Sequence, residues 1–274
     1  MRKINVRVSS GLGDRLLTLL FYYVNFGSEN EINIFWEKNN CLNCDYDKLF
    51  KNKVKLSFGN DNLFSLPSDV PVISRKNLVI NYLKSLKKQD VLIKGEVFDK
   101  TSDFKKLDYK KYFKEILSPS EDIQSAVNEY IKNNFNSKII GVHFRAADKL
   151  CPKTLSFFSP KKSLFQILKE YDLAIKTFLT DDCKILLATD DSGPRSPCSS
   201  DIQNLKLKDY FKEKYGNKVI EFPCRSLARN TEEGIIDAFQ TLILLSKCDC
   251  FVGSCRSSFS KLICVNFDDS FKLV

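Results

Sequence analysis

The chain has 274 residues, 43% of them hydrophobic and 28% charged, a globular composition with length for one large or two ordinary domains. It holds no run of eighteen apolar residues, which excludes an ordinary membrane-spanning helix. The net charge is +9 with scattered lysines and arginines and no nucleic-acid motif, so the expected partner is an anionic small molecule such as a nucleotide diphosphate, not nucleic acid.

Met1-Arg2-Lys3-Ile4-Asn5-Val6 enters a strand directly, without the apolar region of a signal peptide, so a cytoplasmic location is expected. Lys3–Val8 alternates like a strand. Ser9-Ser10-Gly11-Leu12-Gly13-Asp14-Arg15 then reads as a glycine loop before a helix, Leu16–Phe26, that is apolar nearly all round and therefore buried. The loop is neither GxGxxG nor a P-loop; it suits an anion at a helix N-terminus, or simply a tight βα turn. Strands are expected at Glu31–Trp36, Val54–Phe58, Val70–Ile73 and Val91–Glu96, and helices at Asp45–Phe50, Asn77–Lys88 and Asp108–Leu117. Ser118-Pro119-Ser120-Glu121 reads as a helix start, with Ser118 as cap and Glu121 closing a capping box, and the domain boundary is placed beside it.

The second half repeats βα units. Strands are expected at Lys138–Phe144, Lys184–Thr189, Val219–Phe222, Asp249–Gly253 and Cys264–Phe267. Helices are expected at Pro160–Leu179, at Asp201–Lys214, from Thr231 as cap to Lys247, and shortly after Ser254. The pattern is α/β, two halves each with its own sheet.

Ten cysteines include one CxxC, Cys41-Leu42-Asn43-Cys44. A zinc site needs about four ligands, and neither a second CxxC nor a histidine pair completes one, so no metal is expected. Free thiols are the default, with Cys248, Cys250 and Cys264 buried, and a Cys41–Cys44 redox pair as the alternative.

The densest chemistry follows Ile139-Ile140-Gly141-Val142. Within a few residues stand His143, the sole histidine, then Arg145, Asp148 and Lys149. Arg145 can hold a phosphate by two parallel hydrogen bonds and Lys149 adds a point charge; the plainer reading is a salt-bridged surface turn. Asp190-Asp191 and Ser254 to Ser258 also follow strands, and in a parallel sheet such loops share one edge. Asp190 or Asp191 could take hydrogen bonds from a ribose, base or sugar, or merely cap the next element. Ser257 and Ser258 suit phosphate oxygens. Asp237, flanked by apolar residues, needs a partner if buried: a base edge, or an internal arginine or lysine.

Gly141-Val142-His143-Phe144-Arg145-Ala146-Ala147-Asp148-Lys149 resembles the GVHxRRxDK motif of the α1,6-fucosyltransferases, the core and nodulation enzymes. Leu187-Ala188-Thr189-Asp190-Asp191 resembles their next motif. Leu245 to Ser254 with Ser257-Ser258 resembles the third, and Ser10 to Arg15 is similar to their N-terminal glycine loop. The resemblance implies a GT-B glycosyltransferase: two Rossmann-like domains with a cleft between them, here 1–118 on the acceptor side and 119–274 binding the nucleotide-sugar donor. It implies inverting transfer without metal or other cofactor, from GDP-fucose, to an oligosaccharide or glycoprotein glycan. Arg145, Asp148 and Lys149 would be catalytic. Gly11, Leu12, Gly13, His143, Arg145, Asp190, Asp191, Asp237, Ser254, Ser257 and Ser258 would bind the donor. The short chain looks more like a microbial or large-virus enzyme, in the host cytoplasm if viral.

The departures are specific. The second arginine is Ala146, and Cys151-Pro152-Lys153 stands where the core enzymes carry a glutamate base. Asp148 is the nearest base by motif, with Asp14, Glu96 and Asp99 as rivals, or it orients Arg145 instead. An ungapped alignment puts Thr241, not Asp237, at the base-reading aspartate. Alternatives therefore stay open: another donor such as UDP-xylose or GDP-rhamnose, or a non-catalytic nucleotide- or glycan-binding module. A dehydrogenase lacks its GxGxxG.

Overall fold

The central strand of the first sheet, β1 (Arg2–Val8), lies between β2 (Asn30–Trp36) and β5 (Val91–Lys94), all parallel. Ile4, Val6 and Val8 are fully buried, and so is Asn5 between them. Asn5 faces Asn33 across the β1–β2 register, and Asn33 donates to its side-chain oxygen at 2.9 Å. That pair satisfies two polar groups where a one-residue slip would leave both unmatched. β3 (Leu56–Gly59) and β4 (Val72–Ser74) complete the order β3-β2-β1-β5-β4.

The computed structural model describes residues 2–51, 56–59, 72–74, 91–94, 109–145, 164–189, 207–255 and 257–274. The helix expected at 77–88 lies outside them, as do Asp148, Lys149, Asp190 and Asp191. The chain divides into two compact units, Met1–Ile123 with Arg229–Ile236, and Gln124–Ala228 with Asp237–Val274.

The first helix, α1 (Leu12–Phe26), starts four residues earlier than expected. Gly11 is its N-cap and Arg15 N donates to Gly11 O at 3.1 Å, so Leu12 and Gly13 form the first turn and not a loop. The Arg15 guanidinium lets the helix start there: its Nε donates to Ser10 O at 2.6 Å and its plane lies 4.9 Å over the Trp36 ring. As the apolar pattern predicts, Leu16, Leu17, Leu19 and Leu20 are all fully buried.

The short helix α2 (Tyr46–Leu49) precedes α3 (Tyr109–Ile116) and α4 (Glu121–Asn134). The expected capping box at Ser118 does not form. Pro119 instead bridges Phe50, Ser118 O accepts from Lys51 N at 2.9 Å, and Glu121 pairs with Lys51 at 2.7 Å. Contacts distant in sequence take the groups that a local cap would have used, and α4 begins at Glu121.

The second sheet is also parallel, in the order β10-β9-β6-β7-β8. It comprises β6 (Ile139–Phe144), β7 (Lys184–Thr189), β8 (Val219–Ile220), β9 (Cys250–Gly253) and β10 (Phe271–Leu273). The crossovers that parallel pairing requires are α5 (Leu164–Lys176), α6 (Leu207–Tyr215), α7 (Glu232–Leu245) and α8 (Ser258–Cys264). Leu168, Tyr171 and Ile175 of α5 and Phe211 of α6 join Ile140, Val142, Phe144, Ile185 and Leu187 in one apolar core. At Gly141 an added Cβ would come within 3.1 Å of Leu245 and Cys248, so glycine admits the end of α7 against the sheet. Thr231 caps α7 as expected, its Oγ1 accepting from Gly234 N at 3.2 Å.

The strand expected at Cys264–Phe267 is a correction. The run Leu262–Cys264 ends α8, and the edge strand is Phe271–Leu273. A short apolar run reads equally as buried helix or strand; here Cys264 is the last helical residue and Val265 and Asn266 form a turn.

Candidate active site

From β6 the chain moves outward through β7 to β8, then returns to the other side of β6 to lay down β9 and β10. The strand order therefore reverses between β6 and β9, which pair with His143 opposite Gly253. In open α/β sheets ligands bind beyond the carboxyl ends of the strands at such a reversal. Arg145 is the first residue after β6, and Ser254 the first after β9.

The two ends are tied together. Arg145 N donates to Ser254 Oγ at 3.0 Å. Tyr171, buried on α5, reaches the same point: its hydroxyl donates to His143 O at 3.0 Å and lies 2.6 Å from Ser254 Oγ. Ser260, fully buried on α8, accepts from Ser254 N at 3.0 Å and contacts His143 Nδ1 at 2.7 Å. The His143 ring packs against Phe259 with centroids 4.8 Å apart. Ser257 caps α8, accepting from Ser260 N at 3.3 Å, and Ser258 is its first residue. Gly253 is required at this crowded corner, because an added Cβ would fall 2.8 Å from Ser260 Oγ and 2.6 Å from the Phe251 ring. The chain end closes the edge: Val274 N donates to Gly253 O at 2.8 Å, and Cys255 N to Val274 O at 2.7 Å.

The structure thus brings His143, Arg145, Ser254, Ser257 and Ser258 to one edge of the second sheet. α8 has seven residues, so its serine hydroxyls offer more to an anion than its dipole does. β7 ends at Thr189, opposite Phe144 on β6, and Asp190 and Asp191 follow outside the described residues. Gly11, Leu12 and Gly13 sit at the carboxyl end of β1 in the first unit. No described atom lies within 4 Å of a Cβ added at Gly11, so protein sterics do not demand glycine there. Asp237 is buried on α7, and its partner is an arginine, though an exposed one and not an internal one: Oδ1 accepts from Arg225 Nη2 at 2.7 Å and Nε at 3.0 Å. Thr241, one turn on, donates to Asp237 O at 2.8 Å.

Three further polar residues carry no local sequence motif of their own: Tyr171 falls within an apolar helical face, Ser260 within a short helix after the serine loop, and Arg225 in a loop without pattern. A tyrosine on a buried helical face is the one usable signal, since its hydroxyl must find a partner.

Among the described residues, no group of three or more His, Cys, Asp or Glu side chains converges as a metal site, and no helix is long and apolar enough to cross a membrane. Cys41 is exposed and Cys44 buried, both free thiols. Burial pushes the Cys44 thiol up to about 12 and Cys250 up to about 11, so both are protonated and poor nucleophiles. Cys248 is buried as expected; Cys264 is only partly covered, though burial also raises its thiol to about 12.

No family model and no curated protein matches the chain in sequence. Solved structures match it in fold. NodZ α-1,6-fucosyltransferase soaked with GDP-fucose superposes with a TM-score of 0.64 at 16% identity, over 96% of this chain and 92% of that one. NodZ from Bradyrhizobium gives 0.64 at 17%, over 96% and 91%. POFUT1 in complex with GDP-fucose gives 0.51 at 12%, over 98% and 96%. A mutant of Arabidopsis thaliana FUT1 in complex with GDP gives 0.55 at 14%, over 97% and 68%. At these identities the likeness is one of architecture: two parallel α/β halves in the GT-B fold of the fucosyltransferases.

Proposed function

We propose that the protein is an inverting glycosyltransferase that moves fucose from GDP-fucose to a hydroxyl of an oligosaccharide or glycoprotein glycan. One observation carries the reading: Arg145 and Ser254 leave adjacent strands at the point where the strand order reverses, joined by a hydrogen bond from Arg145 N to Ser254 Oγ. The fold is that of fucosyltransferases whose structures hold GDP or GDP-fucose.

In this reading residues 119–274 bind the donor and 1–118 face the acceptor. An acceptor hydroxyl oxygen attacks the anomeric carbon while the bond to the diphosphate breaks, its electron pair leaving with the phosphate. The Arg145 guanidinium, with Lys149, takes up the charge that builds there, a kind of stabilisation worth about 10²–10³-fold in rate. His143 and the hydroxyls of Ser254, Ser257 and Ser258 hold the donor. Asp190 and Asp191 accept from its ribose or sugar. Asp148 takes the hydroxyl proton, a step worth about 10²–10⁴-fold, or else orients Arg145. Asp237 serves the base end through the loop it anchors. The reaction as written uses no metal or other cofactor, and a chelator is expected to leave the rate unchanged.

A second reading, the same chemistry with UDP-xylose as donor, is favoured by the base end itself, whereas GDP-rhamnose keeps the guanine and differs from GDP-fucose only in the sugar. The Asp237 carboxylate is taken up by Arg225, and Thr241 turns its hydroxyl to the backbone of its own helix. Calorimetric titration with GDP, UDP, GDP-fucose, UDP-xylose and NAD separates the cases. Binding of GDP and GDP-fucose supports the fucosyl reading, and preference for UDP-xylose replaces the sugar. Binding without turnover on a glycan panel would make the protein a binding module.

A further inference from the structure

The contacts among the described residues give the hydroxyls behind Arg145 one arrangement of their protons. The His143 carbonyl can only accept, so the Tyr171 proton goes there, and the 2.6 Å contact is a donation from Ser254 to Tyr171. With its proton spent, Ser254 Oγ accepts from Arg145 N. Ser260 Oγ accepts from Ser254 N, and its own proton needs an acceptor. Among the described residues that acceptor is His143 Nδ1, at 2.7 Å. Ser260 is fully buried, where a hydroxyl proton without a partner costs about 1–3 kcal/mol. The hydrogen bond made by one ring nitrogen decides which nitrogen carries the proton.

We infer that Ser260 is a positioning residue that holds His143 as the neutral tautomer protonated on Nε2. Phe259, packed on the ring, restrains its rotation. Any polar group that meets Nε2, from the protein or a ligand, meets an N–H. The Nδ1 lone pair is already occupied by Ser260. His143 therefore enters the site as a hydrogen-bond donor, suited to a phosphate, sugar or base oxygen, and cannot act as the base that deprotonates the acceptor. The tautomer rests on geometry alone, while the donor-binding use of Nε2 rests on the glycosyltransferase reading.

His143 is the only histidine in the chain, so ¹⁵N-histidine labelling gives two ring-nitrogen signals that need no assignment. A long-range ¹H–¹⁵N correlation of the full chain at pH 8, without ligand, is expected to show a pyrrole-type Nε2 and a hydrogen-bonded pyridine-type Nδ1. A pyrrole-type Nδ1, or two equivalent nitrogens, overturns the inference. In Ser260→Ala the Nδ1 signal should move toward that of an unbonded ring nitrogen, and Ser260→Thr should restore it. An unmoved signal in a folded Ser260→Ala would remove Ser260 from the role. If that variant does not fold, the wild-type spectrum still decides the tautomer. Because no sugar nucleotide is present, failure of this inference is separate from failure of the donor-binding titration.

Discussion

Among the described residues, Asp237 and Arg225 form the most saturated ion pair in the second unit. One carboxylate oxygen takes Arg225 Nη2 and Nε; the other takes the main-chain N–H groups of Arg225 at 2.5 Å and Ser226 at 3.1 Å. The aspartate is buried while the arginine side chain is 58% exposed, so the carboxylate is the anchor and the loop after β8 is what it holds.

Asp237→Ala therefore removes four hydrogen bonds at once and should destabilise the fold by about 2–4 kcal/mol. Arg225→Ala leaves both main-chain donors in place, and its partial exposure discounts the loss further, to about 1 kcal/mol. Urea unfolding of the two variants checks the order; an equal loss would mean that the side-chain pair, not the main chain, dominates.

Arg145→Ala should cut transfer by about 10²–10³-fold with the fold intact. Its side chain is half-buried at the strand end, and the main-chain bond to Ser254 survives the change. Ser258→Ala should weaken nucleotide binding, read by calorimetry. Full activity in the first variant would take Arg145 out of the chemistry, and unchanged affinity in the second would move the phosphate elsewhere.

Tyr171→Phe keeps the ring that packs 4.5 Å from Phe144 but deletes the hydroxyl between His143 O and Ser254. The Ser254 proton loses its acceptor, and the Arg145 strand end loses a brace. Stability should fall by about 1 kcal/mol. The rate constant for transfer should drop about ten-fold, equivalent to roughly 1.4 kcal/mol, with little change in donor affinity. A pure affinity loss would show that Tyr171 supports binding and not the placement of Arg145.

Burial alone would raise the Asp172 carboxyl, but hydrogen bonds from Tyr215, Lys214 and Lys176 outweigh it and hold the group below the usual carboxylate range. The unfolded chain therefore takes up this proton first as pH falls. The stabilisation is present above about pH 4 and is lost as pH drops through the lower folded value. Asp172→Asn should flatten the acid limb of the stability–pH curve relative to wild type. Parallel acid limbs would show that Asp172 contributes nothing to acid unfolding.

The α/β halves were legible because parallel strands covered on both faces read as short apolar runs, as at Ile139–Val142 and Lys184–Thr189. The start of α1 is not legible in the same way, since Leu12 and Gly13 have the composition of a loop and the helix begins there with Arg15 held by Ser10 and Trp36. The Ser118 capping box failed for the same kind of reason: local pattern does not register a bridge between Pro119 and Phe50. His143, Arg145, Ser254, Ser257 and Ser258 stand out in the sequence because charge and hydroxyls appear abruptly after apolar strands, whereas Tyr171 and Ser260 look like core and helix residues.

By itself the sequence determined where strands and helices alternate and which strand ends carry polar chemistry, because side-chain period and turn chemistry act over a few residues. Only the tertiary structure decided that β9 lies beside β6. That pairing puts Arg145 against Ser254 across 109 residues, and it sets Ser260, 117 residues away, on the His143 ring. Such contacts depend on strand order, which follows from how whole βα units pack and not from any local window.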